Sequence, residues 1–172
     1  MKLFIIGPGG VGKTTCGRIL SEIIGYKFID LDQEFCDRIE NITTYIRTRG
    51  YEDYCSENSK LFYSLLSDLT ENFIFSLSSG FLIYKELKTK HRQTLKEIGT
   101  SILLLPSLSQ NEGAEIIAKR QVLRGLGLDY EREKIKFSER FHEYKSLADY
   151  KIFSHENPKK IAEQMKNIIY NS

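Results

Sequence analysis

The 172-residue sequence predicts an α/β protein in three layers, with a five-stranded parallel sheet between two layers of helices. Three observations predict it. Five short apolar runs recur along the chain, segments of 3.6-residue apolar periodicity separate them, and a glycine-rich loop joins the first run to the first helical segment. Strands alternating with helices are linked by crossovers, which makes the sheet parallel and covers both of its faces.

Leu3-Phe4-Ile5-Ile6 is the first strand, a continuous apolar run too short for a helix. Ile19, Leu20, Ile23 and Ile24 then recur at helical spacing, and Phe28-Ile29 forms the core of a short second strand. A helical stripe of Leu61, Phe62, Leu65, Leu66 and Leu69 precedes the third strand, Phe73-Ile74-Phe75-Ser76-Leu77. The fourth strand is Ile102-Leu103-Leu104-Leu105, followed by a helix carrying Ile116, Ile117, Val122 and Leu123. Tyr150-Lys151-Ile152-Phe153 is the fifth. Asn157-Pro158 opens the last helix, with proline in its first turn and a stripe of Ile161, Met165, Ile168 and Ile169. No repeat or linker interrupts the pattern, so residues 1–172 are expected to form one domain.

Composition narrows the function. With 41% hydrophobic and 28% charged residues, the chain is not of the disordered class. Its 25 Lys and Arg against 23 Asp and Glu leave a net charge of +2, no basic excess for nucleic acid. Cys16, Cys36 and Cys55 have neither metal-site spacing nor an even count for a disulfide framework, which suits a reducing compartment. The apolar stretch 73–84 is about half of what a membrane span needs. His91 and His142 read as surface histidines, and the basic run at 85–96 as a solvated helix face. A cytoplasmic monomer is expected, with a small molecule rather than nucleic acid or membrane as its partner.

Gly7-Pro8-Gly9-Gly10-Val11-Gly12-Lys13-Thr14 fits G-x-x-x-x-G-K-[ST] in full, between a strand and a helix, the context the motif requires. Glycines turn backbone N–H groups inward, and the helix that follows adds its unpaired N–H groups and positive dipole end. The motif therefore predicts that residues 7–14, with Thr15, cradle the phosphates of ATP. Lys13 reaches the β- and γ-phosphates, and the Thr14 hydroxyl ligates Mg²⁺. After the second strand, Asp30-Leu31-Asp32 places two carboxylates two residues apart, on one side of an extended strand end. Ligands of parallel sheets collect at that end, so one acid can hold the metal and the other orient or deprotonate an acceptor hydroxyl. A solvated turn in which an Asp caps the next helix is the alternative.

These residues carry a resemblance. Gly12 to Arg18 (G-K-T-T-C-G-R) and Gly25-Tyr26-Lys27-Phe28-Ile29-Asp30-Leu31-Asp32 resemble the opening of the shikimate kinases, small P-loop kinases that phosphorylate a hydroxyl of shikimate with Mg-ATP in aromatic amino acid biosynthesis. Ser138-Glu139-Arg140-Phe141-His142-Glu143-Tyr144 resembles that family's E-R-x-x-x-Y helix, and Glu156-Asn157-Pro158 its adenine-packing turn. The resemblance implies a P-loop kinase fold, Asp30 on the magnesium side and Asp32 as the base. It also implies that Arg140, Ser78, Ser79 and Gly80 contact substrate, and that Arg120 and Pro158 flank the nucleotide. A lid is implied at about 124–135, with Arg124 as its catalytic arginine and Arg120 and Arg132 as rivals.

The chain departs from the family where the acceptor would bind. The family's G-E-x-x-F-R block is Gly50-Tyr51-Glu52-Asp53-Tyr54-Cys55, so the substrate-clamping arginine is replaced by Cys55. Its triple glycine is Ser78-Ser79-Gly80, which adds two side chains where a ligand would lie. A missing charge-assisted contact removes on the order of 1.5–3 kcal/mol per hydrogen bond, so shikimate is expected to bind more weakly unless Arg47, Arg49 or another group compensates. Two other readings stay open: a different acceptor, including a nucleoside stacked on Tyr45, Tyr51 or Tyr54, and a regulatory ATP-binding module without catalysis.

Overall fold

The computed structural model describes residues 1–125 and 127–170. Strands β1 (Lys2–Ile6), β2 (Lys27–Asp30), β3 (Phe73–Ser76), β4 (Thr100–Leu105) and β5 (Tyr150–Phe153) form one parallel sheet in the order β2-β3-β1-β4-β5. The α/β class and the five parallel strands are as the sequence predicts. β1 is central, with Ile5 opposite Ser76 of β3 on one side and Ile102 of β4 on the other.

Alternation along β1 divides the core. Leu3 and Ile5 face a layer built by α1 (Lys13–Ile24), α6 (Gln110–Val122), α7 (Tyr130–Lys145) and α8 (Pro158–Tyr170), meeting Leu20, Ile117, Phe137 and Met165. Phe4 and Ile6 face the other layer, built by α2 (Leu31–Arg38), α3 (Ile42–Arg49), α4 (Tyr51–Ser67) and α5 (Lys88–Ile98), where Phe35, Phe62 and Leu95 pack. Phe4 lies against the rings of Phe62, Phe73 and Phe75, with centroids 5.6–6.3 Å away. No helix among the described residues is long and apolar enough to cross a membrane.

Several local expectations need correction. Helices α2 and α3 have short, polar stripes that periodicity alone does not reveal, and α4 begins at Tyr51, well before its leucine-rich half. Val122 and Leu123 are exposed rather than packed, because α6 ends there and the chain turns away from the sheet. The basic run at 85–96 is not simply solvated: Lys88 and Arg92 each lie 2.6 Å from a carboxylate oxygen of Glu143. Leu126, inside the expected lid, lies outside the described residues. From Tyr130 onward that segment is already α7, capped by Asp129.

His91 is the clearest correction. It is buried rather than on the surface: Nε2 is 2.8 Å from Ser59 Oγ, Nδ1 is 2.9 Å from the Phe81 carbonyl oxygen, and the ring stacks on Phe81 at 3.8 Å. Burial lowers its pKa from the ordinary value, against the hydrogen bond to Phe81, which raises it; Lys90 adds to the lowering. The unfolded chain therefore takes up a proton near pH 6.5 that the folded chain refuses. Stability from this site is full above that pH and falls as the solution is acidified toward the folded-state pKa. The urea midpoint should accordingly drop between pH 7 and 5.5, and His91→Gln should flatten that limb. An equal slope in the variant would refute the assignment.

Candidate active site

The glycine loop leaves the carboxyl end of β1 and runs into α1. Gly12 precedes the helix in the left-handed region, φ 102°, with no side chain capping the first turn. The first N–H groups of α1 are thus left for a ligand, and the dipole favours an anion there. Lys13 is buried and folds back over the loop, its Nζ donating to the carbonyls of Gly7 (2.9 Å) and Pro8 (3.0 Å). Burial pushes its ammonium below the ordinary pKa; Asp32 and Asp30 oppose that, and Arg124 adds to it. Asp30, Asp32 and Arg124 are thus the charges that act on the loop lysine. Val11 packs in the core, while Thr15 is exposed on the first turn of α1.

The two acids do different things. Asp30 ends β2 and caps α2, its Oδ1 accepting from the N–H groups of Asp32 (3.1 Å) and Gln33 (3.3 Å). Its Oδ2 accepts from the Thr14 hydroxyl at 2.5 Å. The helix cap and the bond from the loop threonine coexist in one residue. Asp32 is in the first turn of α2 rather than at an extended strand end, because the cap starts the helix at Leu31. Its Oδ1 accepts from Ser78 Oγ at 2.5 Å and from Tyr54 Oη at 3.4 Å.

Three residues that the sequence left unmarked complete the surroundings. Gln121 lies so close to the loop that a side chain at Gly9 would strike it and one at Gly10 would crowd it. Its Oε1 accepts from Arg124 at 3.0 Å, and its Nε2 donates to the buried Glu133 carboxylate at 3.2 Å. Asn58 donates through Nδ2 to Ser78 Oγ at 3.0 Å. Nothing in their local spacing separates Gln121 and Glu133 from ordinary helix residues. Asn58 did leave a signal, as a polar residue in the buried stripe of Tyr54, Cys55, Leu61 and Phe62.

The remaining candidates spread over the mouth of the site. Of the three arginines, Arg124 bonds to Gln121 beside the loop and is the one whose charge acts on Lys13. Arg120 donates to the hydroxyl (3.1 Å) and carbonyl (2.8 Å) of Ser154, and Arg132 is exposed on α7. Pro158 opens α8 and is exposed. Ser79 shares a small cavity with Pro8, Gly9, Lys136 and Arg140, and its carbonyl accepts from Tyr144 Oη at 2.9 Å. Where the clamp arginine was missed, Cys55 is a buried thiol whose pKa burial pushes up to about 11. Arg140 Nη2 donates to the Tyr51 hydroxyl at 3.3 Å, directly over Gly80. Tyr45 and Tyr54 both set their edges against Phe35 in the core, so neither ring is free to stack on a nucleoside.

A loop that presents helix N–H groups from the central strand, with a lysine and an acid pair beside it, defines a P-loop phosphotransferase. The chain belongs to the shikimate kinase family, whose model, described as "Shikimate kinase", matches residues 9–170. It is 28% identical to shikimate kinase 2 of Photorhabdus laumondii, across 98% of this chain and 95% of that one. Its fold is similar to shikimate kinase from Acinetobacter baumannii in complex with shikimate, with TM-score 0.80, 21% identity, and 99% and 93% of the two chains covered. Shikimate kinase from Bacteroides thetaiotaomicron gives 0.77 at 14% identity, with 99% and 98% covered. The protein is thus an ATP-dependent kinase acting on a hydroxyl of a small metabolite.

The two duties of Asp30 can be separated by substitution. Asp30→Asn keeps an oxygen for the cap and should hold stability within about 0.5 kcal/mol, whereas Asp30→Ala should lose about 1 kcal/mol. Urea unfolding checks this, and equal losses in both variants would dismiss the cap.

Proposed function

We propose that the acceptor is a small hydroxylated carboxylate of the shikimate type and that Asp32 is the general base. The observation that carries this is the hydrogen-bonding of Asp32: Ser78 and Tyr54 both donate to Oδ1, which leaves Oδ2 as the oxygen to take the acceptor's proton. The acceptor oxygen attacks the γ-phosphorus, its proton passes to Asp32, and the bond from γ-phosphorus to the bridging oxygen breaks to release ADP. Lys13 and Arg124 stand where negative charge develops on the transferring group, and the N–H groups of residues 7–15 hold the phosphates. Arg120, bonded to Ser154, and Pro158, at the start of α8, are the residues we assign to the nucleotide.

Magnesium fits the residues present. The Thr14 hydroxyl and the Asp30 carboxylate are hard oxygen donors 2.5 Å apart at the loop. No group of three or more His, Cys, Asp or Glu side chains suited to a metal occurs among the described residues. Magnesium takes one or two protein oxygens and completes its shell with phosphate and water. When bound, it would neutralise phosphate charge. A monomer suffices, since every group named comes from one chain.

For the carboxylate end, Arg140 and the Tyr51 hydroxyl form a seat above Gly80. One cation in place of two supports turnover of shikimate at reduced affinity. Mg-ATP with shikimate should release ADP, and Asp32→Asn should lower kcat by about 10²–10⁴-fold with ATP still bound. Arg140→Ala should raise the shikimate KM at least about tenfold. Intact ATP binding without any stimulation by shikimate would retire this acceptor.

A further inference from the structure

We propose that Asn58 is a specificity-determining residue of the acceptor site, its buried side-chain carbonyl taking a hydrogen bond from an acceptor hydroxyl other than the one phosphorylated. The inference rests on the reading that the acceptor occupies the pocket beside Asp32, and deepens it.

Asn58 is only 2% exposed, and its Oδ1 is the buried side-chain polar atom that takes no hydrogen bond among the described residues. Buried acceptors are almost always paired, so an orphan of this kind signals a donor that arrives with something else. The amide cannot simply be turned over. Ser78 commits its hydroxyl proton to Asp32 at 2.5 Å, so the partner it shows Asn58 is an oxygen lone pair, which only the NH₂ group can meet at 3.0 Å. The carbonyl is therefore fixed as the open end of a chain that runs from Asn58 through Ser78 to the proposed base.

The surroundings select the donor. Asn58 lines a cavity of about 10 Å³ whose walls include Tyr51, Tyr54, Cys55, Gly80 and Phe81. A void of that size admits one hydroxyl-sized group. None of these side chains is a cation, and the Cys55 thiol is held neutral by burial. A carboxylate would meet the Asn58 carbonyl with repulsion, whereas a neutral O–H fits it. The pocket is thus polarised: the anionic end of the acceptor belongs at Arg140 and Tyr51, and a second hydroxyl belongs at Asn58. Because Asn58, Ser78 and Asp32 form one chain, an acceptor that satisfies Asn58 is also held in register with the base.

The test is a double-mutant cycle on the full chain, reading ADP release with Mg-ATP. The probes are shikimate and analogues each lacking one non-reacting hydroxyl. In the unsubstituted protein, loss of one particular hydroxyl should raise the acceptor KM about tenfold, as expected for a lost hydrogen bond to a buried partner. Asn58→Leu should raise the KM for shikimate by a similar factor, leave the KM for ATP unchanged, and show no further penalty for that deletion. Asn58→Ala serves if the leucine variant does not fold. Equal penalties for the hydroxyl deletion in both proteins, or an unchanged shikimate KM in the variant, overturn the assignment and leave the cavity to a resident water. If shikimate elicits no ADP release, the proposed acceptor falls, and the same comparison is made with gluconate and glycerol. A response to either that Asn58→Leu weakens keeps Asn58 in its role; a response it does not weaken, or none at all, overturns it.

Discussion

A lysine ammonium taken out of water has to be met by acceptors and opposite charge, and the site is organised around how Lys13 is met. The Gly7 and Pro8 carbonyls supply the acceptors, and Asp30 and Asp32 supply the charge. Those carboxylates belong to β2 and α2, whereas the lysine follows β1, and β3 lies between the two strands. Ile5, Ser76 and Asp30 sit opposite one another across three strands, so the pairing register fixes the separation of loop and acids. A one-residue slip of β2 would turn the Asp30 side chain to the other face of the sheet and leave the ammonium under-compensated. The sheet register is therefore an electrostatic requirement of the site as much as a packing one.

Much of this was legible because the chemistry demands particular residue types at fixed spacing. The phosphate loop, the acid pair and the alternation of Leu3 and Ile5 with Phe4 and Ile6 are local patterns, and local patterns survive in sequence. Asp32 shows the limit: its identity was readable, but its backbone was not, because the Asp30 side chain starts α2 a residue after the strand ends. His91 fails for a different reason. Its burial is tolerable because Ser59 and Phe81 engage both ring nitrogens, and neither partner is a sequence neighbour. Gln121 likewise gains its place only when α6 lies across the loop, which no periodicity within α6 announces.

The acceptor side reads as a coordinated change rather than a simple loss. Removing a clamp arginine alone would have left a void and unpaired acceptors, each buried orphan costing roughly 1–3 kcal/mol. Here Cys55 is small and neutral, Tyr51 extends its hydroxyl to Arg140, and Ser78 turns its hydroxyl inward to Asp32 instead of into the space above the strand end. The Ser78 side chain is therefore no steric block. It becomes a hydrogen-bond donor to the proposed base, and its own acceptor need is met by Asn58.

The lid side obeys the same electrostatics with the opposite sign. Arg124 approaches Lys13 closely enough to disfavour its charge, and Gln121 holds the guanidinium at 3.0 Å. Two cations beside a helix N-terminus repel each other and the dipole alike. A triphosphate seated in the loop would reverse each of those terms, turning repulsion between Lys13 and Arg124 into shared attraction to one polyanion. Gln121 touches the loop, Arg124 and Glu133 together, so a single amide joins the loop to the first turns of α7. Arg124 is held there by the Gln121 amide rather than by apolar packing, which accords with the exposure of Leu123 at the same turn.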